Sequence, residues 1–449
     1  MSDIITYHYN IPSVLHTGGS SGSLRLSGFN ETAGTEMPVF FDGKLQQPYV
    51  TARCLIALSN VVKASFSLST AMAAMVKDPI ITAGNNKLRF EGFSLCAGVY
   101  ARVDLLPGSH TGDFPASGTV NVDFNQPMIN ALGAVGRNTK LQLQVGNRHV
   151  SMQSSASGKV TEKKVPLPVK WLKGLTSVQL LMAGTEQALL FNKMQLLQLF
   201  QGIPSGQVKT DYYLFMRGGR PQLTPVKMPG AVCIGGIHRL KLLEPLLPLA
   251  DELRVYARED MQCTVWQLHF GPVRFSLALS REAWRGFSGE GAALESLIAD
   301  IPESWITRFD QRSYENQEFN ITLRAVKEQI SFQQIDNLTA RLAAMGLLGY
   351  DTADNTWFYR RLPFRLSRLL SLNPRMKGAE QLLTTGGVTI IAKDKVRTEA
   401  RVAGTVVTHT VILESGKDKC TCTWFSRNQG ERGDCKHILA VKKKLSGDI

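Results

Sequence analysis

Near the end of this chain, three cysteines and a histidine fall in the order Cys420-Thr-Cys422, twelve residues, then Cys435-Lys-His437. Nothing else in the sequence limits folding so tightly, because both pairs are spaced for metal ligation. Three soft sulfurs and one imidazole close a tetrahedral shell and leave no position for a substrate water, which suits structural zinc. Lys417, Lys419, Arg432 and Lys436 stand close by and favour thiolate over thiol. The unit has little apolar content, so the metal supplies folding free energy, on the order of 10 kcal/mol in zinc-finger peptides. The remaining cysteines, Cys54, Cys96, Cys233 and Cys263, stand singly in apolar surroundings and read as buried thiols. Seven cysteines in 449 residues do not form a disulfide scaffold.

Local patterning places the ligands on a ββα frame. Residues 405–413 are rich in β-branched side chains, Glu414-Ser-Gly-Lys-Asp turns the chain, and residues 419–425 return as a second strand. A helix over 435–445 carries Ile438, Leu439, Val441 and Leu445 on its apolar side. Trp424 is expected to pack over the metal site.

With these words in place, Cys420-Thr-Cys-Thr-Trp-Phe and Gly430-Glu-Arg-Gly-Asp-Cys435-Lys-His-Ile-Leu-Ala, residues 400–445 resemble the SWIM zinc finger. That family carries C-x-C, a variable gap and C-x-H after a hairpin. The resemblance implies zinc and a role in binding DNA or protein. SWIM fingers accompany SWI/SNF-type ATPases, Mutator-like transposases and recombination accessory proteins, but this chain has no G-x-x-x-x-G-K-[ST] phosphate loop. Elsewhere, Phe41-Asp-Gly-Lys-Leu, Val99-Tyr-Ala-Arg-Val-Asp-Leu-Leu-Pro, Gly118-Thr-Val-Asn-Val-Asp-Phe-Asn-Gln-Pro-Met and Arg360-Arg-Leu-Pro-Phe are similar to a bacterial group of stand-alone SWIM proteins. Members of that group tend to be encoded beside MoxR-type AAA+ ATPases and von Willebrand A proteins. This implies an AAA+ or von Willebrand A partner, in DNA metabolism or phage defence.

The rest of the chain reads as an α+β multidomain protein. Its length suggests about two to four domains, and 43% hydrophobic with 20% charged residues is enough to bury real cores. Residues 1–36 form a polar, Gly/Ser-rich arm. Residues 37–153 hold a helix near 51–63, where Leu55, Leu58, Val61 and Val62 keep helical spacing, and a second helix capped by Asp123 or Asn125 with Pro127 in its first turn. Leu141, Leu143, Val145 and then Val150, Met152 alternate as a hairpin. After a Lys-rich loop over 154–164, a second unit over 165–229 repeats the order: residues 168–175 and 178–182, a helix over 191–200, and a hairpin from 212–216 to 222–226 about the Arg217-Gly-Gly-Arg220 turn. Repeated helix-plus-hairpin units are the layout of sliding-clamp-like domains, a match of order and not of motif.

Residues 230–380 form a mixed domain with strands at 264–270 and 273–279. A helix over 335–345, with Ile335, Leu338, Leu342 and Met345 as one stripe, and a hairpin flanking Asp351-Thr-Ala-Asp-Asn would close a winged-helix module; the other reading is a core-packing helix beside a basic strand. The finger domain takes 390–449.

Charge is focused. Net charge is +14 overall: +2 over residues 1–150, +8 over 151–250, −6 over 251–354, +5 over 355–390 and +5 over 391–449. Between 355 and 378 no acid interrupts Arg360, Arg361, Arg365, Arg368, Arg375 and Lys377. With Lys436 these are the candidate contacts to nucleic acid, DNA before RNA. Trp357, Phe358, Tyr359 and Phe364 either stack on bases or form one face of a core strand.

No catalytic constellation accompanies this. Gly18-Gly-Ser20-Ser-Gly22 fits G-x-S-x-G without the strand–turn–helix context of a nucleophile elbow. His8, His16, His110, His149, His238, His269 and His409 are scattered singly, and Asp310, Glu315, Glu318 and Asp336 have no matching base or metal signature. The expectation is a non-catalytic protein with no evident small-molecule substrate. Without an apolar run of about 18 residues or a secretory signal at Met1-Ser-Asp-Ile-Ile, no membrane association is expected and the place is cytoplasmic.

Overall fold

The structure, a computed structural model, describes residues 14–18, 21–25, 39–64, 79–122, 124–147, 149–164, 169–283, 286–288, 318–362, 374–394, 396–414, 418–429 and 434–446. The chain divides into two compact units. The first takes residues 1–171, 181–287 and 360–363, and the second takes 172–180, 288–359 and 364–449. The boundaries expected near 153 and 229 therefore fall inside the first unit, where both sides share one core.

In the first unit, a hairpin of β1 (Val14–Gly18) and β2 (Ser21–Arg25) lies in the N-terminal arm. A strand–helix–hairpin unit then recurs. The first copy is β3 (Phe41–Leu45), α1 (Pro48–Lys63), β4 (Ile80–Gly84), β5 (Lys87–Phe93) and β6 (Val99–Leu105), with the short β7 (His110–Asp113) after it. The second is β8 (Gly118–Asn121), α2 (Gln126–Gly133), β9 (Leu141–Val145), β10 (His149–Ser154) and β11 (Gly158–Lys163). After α3 (Val169–Ala183), the third is β12 (Glu186–Asn192), α4 (Lys193–Gln201), β13 (Tyr212–Arg217) and β14 (Arg220–Thr224). The fourth is β15 (Val232–Ile234), a 3-10 segment over Ile237–Leu246, β16 (Glu252–Ala257), β17 (Cys263–Phe270) and β18 (Val273–Ser280).

The first strand of each copy pairs with the second strand of its sibling: β8 with β4, β3 with β9, β15 with β13 and β12 with β16. This exchange locks copies together in pairs. Pairing of β6 with β18, Val103 opposite Phe275, then merges the pairs into an eight-stranded sheet of order β12-β16-β17-β18-β6-β5-β4-β8. The fourth copy is hidden in the sequence because its helix position is a 3-10 segment containing Pro245, which breaks the 3.6-residue spacing.

Local chemistry explains the elements. α1 starts on Pro48, ends on Lys63 and buries Leu55, Leu58, Val61 and Val62 as the spacing predicts. α4 opens on a reciprocal Asn192–Gln195 capping box. Two expectations give way. Residues 169–175 and 178–182, expected as separate segments, belong to the single helix α3. The expected loop over 154–164 contains β11, an edge strand whose Lys159 and Lys163 are exposed while Glu162 is buried against Asn125; charged edges of this kind discourage further pairing.

The sheet's two faces differ. Leu88, Phe90, Val99, Val103, Leu105, Trp266, Phe275 and Leu277 join α1 and α2 in the main core. Opposite them, Arg89, Glu91, Tyr100, Arg102 and Asp104 are also buried. Arg102 Nε lies 2.8 Å from Asp104 and Arg89 Nε 3.6 Å from it, while Glu91 accepts from Tyr100 and Arg360.

In the second unit, β19 (Glu318–Phe319), α5 (Ile321–Glu328), α6 (Phe332–Ala344), β20 (Leu348–Asp351) and β21 (Thr356–Tyr359) form two helices and a sheet of order β19-β21-β20. α6 begins with a Ser331–Gln334 capping box and buries Ile335, Leu338 and Leu342, so the stripe is core. Trp357 and Phe358 are buried as well, with Trp357 edge-on to Tyr350 across the hairpin. The unit closes with α7 (Pro374–Thr384), β22 (Val388–Lys393), β23 (Arg397–Ala403), β24 (Thr408–Glu414), β25 (Lys419–Cys420), α8 (Thr423–Asn428) and α9 (Lys436–Ser446), the four strands pairing in sequence order. Among the described residues, no helix is long and apolar enough to cross a membrane.

Candidate metal centre

The finger is larger than a ββα frame. Its sheet has four strands, and its core holds Met376 and Ala379 of α7 with Val388, Val402, Val411, Ile438, Leu439 and Val441. The expected boundary at 390 cuts β22. The second expected strand ends at Cys420, because Cys422 turns the chain as the N-cap of α8, its Sγ accepting the Phe425 N–H at 3.4 Å. A sulfur at an N-cap satisfies an otherwise orphaned amide.

Strand, cap and helix start thus deliver the four side chains to one point. The ligand atoms of Cys420, Cys422, Cys435 and His437 lie within 4.8 Å of one another, and all four residues are buried. His437 Nδ1 stands 3.7 Å from Cys420 Sγ and 4.0 Å from Cys435 Sγ. Tetrahedral zinc, with Zn–S near 2.3 Å and Zn–N near 2.0–2.1 Å, requires S···N edges of about 3.6 Å. The residues fit Zn2+ in number, softness and spacing. The zinc would be held by all four residues and would supply cross-linking of strand, cap and helix, with no open coordination position.

Electrostatics prepare the centre. A hydrogen bond from the Cys420 thiol, with further ones from His437 and the Ile438 amide at the start of α9, draws the Cys435 thiol down to about 4 against the opposing effect of burial. The same contact, together with burial, pushes Cys420 up, and burial raises Cys422. Around the ligands, the Asp434 carboxylate takes the Lys442 ammonium at 2.6 Å, and Lys442 also reaches Asp418 at 2.7 Å. Arg375 Nη1 donates to the Asp434 carbonyl at 2.7 Å, and its guanidinium lies over the Trp424 ring, 4.7 Å from the centroid. Trp424 therefore packs beside the site and carries Arg375 on it.

The candidate nucleic-acid residues separate. Arg360 is withdrawn: it is 1% exposed and ion-paired with Glu91 in the first unit, since a buried carboxylate needs a cation. Arg361 is exposed. Arg365 and Arg368, like Phe364, Lys417 and Arg432, lie outside the described residues, as do Asp310 and Glu315. Arg375 and Lys377 begin α7, which packs on α9, so that Lys436 lies against Gly378; Lys377 is exposed. His409 stands alone in the sequence but not in the fold. Its ring centroid is 4.5 Å from that of His437. The hairpin register held the signal, because Thr421 between the first two ligands bonds to Thr410.

No curated protein matches the chain. Among solved structures, the proliferating cellular nuclear antigen of Entamoeba histolytica aligns at 9% identity and TM-score 0.37, over 54% of this chain and 98% of that one. The PCNA2–PCNA3 complex of Sulfolobus tokodaii aligns at 9% identity and TM-score 0.39, over 54% and 99%. Over residues 409–446, which contain all four ligands, the chain matches the SWIM zinc finger.

Proposed function

We propose that this chain is a non-catalytic zinc protein that binds nucleic acid, DNA in preference to RNA, through its C-terminal finger and the cations beside it. One observation carries the reading: packing of α7 on α9 brings Arg375, from the end of the acid-free stretch, into the same groove as Lys436 at the metal centre, with Lys377 exposed two residues further along α7. Clustered cations on a rigid, metal-locked surface suit phosphate contacts, whose affinity comes from counterion release. Binding of the zinc-loaded protein to duplex DNA, single-stranded DNA and RNA across a salt series tests this. Log K falls linearly with log salt for duplex DNA, and Lys377→Gln with Lys436→Gln flattens the slope by about 1.8, two phosphates' worth. Equal, salt-insensitive binding of all three probes would refute it.

A second reading is a protein adaptor, with an AAA+ ATPase or a von Willebrand A protein as the partner. Its support is apolar exposure on the second unit: Leu323 at 72% and Val326 at 70% on α5, and Phe332 at 58% on α6. Under that reading, Leu323→Asp and Phe332→Ser abolish capture of the partner while the lysine variants leave it intact.

A further inference from the structure

Beside the zinc ligands, the second unit holds a groove of about 300 Å³ lined by Arg375, Thr405, His409, Trp424, Lys436 and His437 among others. That volume sits at the small end of ligand-sized pockets. Among the described residues no carboxylate lines it, and Asp434, next to Cys435, is committed to Lys442. Two cations do. Arg375 is held in place by the Trp424 ring and the Asp434 carbonyl, and Lys436 sits at the first position of α9, where the helix dipole also favours an anion. Three thiolates on a divalent ion leave the metal centre at −1, which Arg375 and Lys436 together outweigh.

A separate observation points to a ligand. His437 turns Nδ1 toward the sulfurs of Cys420 and Cys435, which leaves Nε2–H as its second donor. His437 is 4% exposed, and its Nε2 has no hydrogen-bond partner among the described residues. Metal-bound histidines nearly always donate their second nitrogen to an oxygen acceptor, and a buried donor left unmade costs about 1–3 kcal/mol. No described residue supplies that acceptor, and the wall of the groove in which His437 stands is cationic.

We infer that this groove is a phosphate subsite: a backbone phosphate of DNA enters between Arg375 and Lys436 and accepts the His437 Nε2–H. The inference rests on the nucleic-acid reading above and adds to it where one phosphate sits and which nitrogen touches it. An oxygen acceptor there also fixes the imidazole ring, so DNA binding and the zinc centre stiffen each other.

Two measurements on the full zinc-loaded chain test it, with a short DNA duplex as the probe. Fluorescence anisotropy across a salt series compares wild type with Lys436→Gln and, as a control outside the groove, Lys393→Gln. Lys436→Gln is expected to reduce the salt slope by about 0.9, one phosphate, with zinc content unchanged, while Lys393→Gln keeps the wild-type slope. Nitrogen-15 spectra of the histidine rings are expected to move the His437 Nε2–H resonance on duplex addition in wild type and much less in Lys436→Gln. A structural role for Lys436 would not produce that signature. If the duplex binds with an unaltered slope in Lys436→Gln and a static His437 resonance, the subsite is refuted and the nucleic-acid reading survives. If no variant and no wild type binds the duplex, both fall.

Discussion

Withdrawing zinc is expected to unfold the finger and leave the first unit standing. The finger's core holds seven large aliphatic side chains, Met376, Val388, Val402, Val411, Ile438, Leu439 and Val441, all buried. At about 2 kcal/mol each they contribute roughly 14 kcal/mol toward folding, an upper figure because the unfolded chain is not fully extended. Structural zinc contributes about 10–16 kcal/mol in zinc-finger peptides. The metal therefore matches the whole apolar core, while domains have only about 5–15 kcal/mol of net stability to lose. Chelation, or Cys435→Ser, which removes the sulfur that His437 and Ile438 hold as thiolate, leaves no margin. The assay is amide hydrogen exchange with parallel zinc stoichiometry. Amides of β23, β24 and α9 should exchange at unfolded-chain rates once zinc is gone, while those of β6, β17 and β18, in the separate core of the first unit, keep their protection. Native-like protection of β23 and β24 in protein free of zinc would refute the reasoning, because the aliphatic core would then suffice alone.

Two more perturbations test the buried charges. Arg360→Ala leaves the Glu91 carboxylate buried with the Tyr100 hydroxyl as its remaining partner among the described residues; unfolding in denaturant should show a loss of about 3–5 kcal/mol, with no change in the salt slope of DNA binding, whereas a flattened slope at unchanged stability would restore Arg360 as a phosphate contact. His269, bonded to Gln267 at 2.9 Å, is lowered from 6.5 to about 4, burial being the largest cause and Arg254 and Arg274 the next. Its unfolded form binds a proton first as pH falls, so stability is full above about 6.5 and drains between 6.5 and about 4. Wild type should lose about 2 kcal/mol more than His269→Gln between pH 7 and 4.5, and parallel pH profiles would refute this.

The metal ligands were legible because their information is local. Two pairs separated by twelve residues name their chemistry whatever the rest of the chain does, and short-range spacing likewise located α1, α4, β9 and β17. What escaped depends on partners distant in sequence. β11 looks like a loop until β10 is known to lie beside it, and Lys-rich alternation is how an exposed edge is written. The exchange of first strands between sibling copies leaves no trace in composition, since segments as unlike as Phe41–Leu45 and Val232–Ile234 make the same pairing. His409 required the register of β24 against β25.

Arg360 shows why charge runs mislead when read alone. It stands one residue from Arg361 in an acid-free stretch, and sequence offers no reason to separate them. Across 269 positions, however, Glu91 lies on the buried face of β5 and β6 with Asp104, and two carboxylates there demand cations from wherever the chain can bring them. Arg89 of the neighbouring β5 and Arg102 of Asp104's own strand β6 pair with Asp104, and Glu91 takes its cation from residue 360, far along the chain. Desolvation sets the order of claims: a buried carboxylate loses several kcal/mol without a partner, whereas a phosphate contact at the surface exchanges one counterion for another. The interior therefore takes the first arginine of the run while Arg361 beside it stays exposed, and at the metal centre Asp418 and Asp434 already hold Lys442, so that no described carboxylate faces Arg375 and Lys436 in their groove.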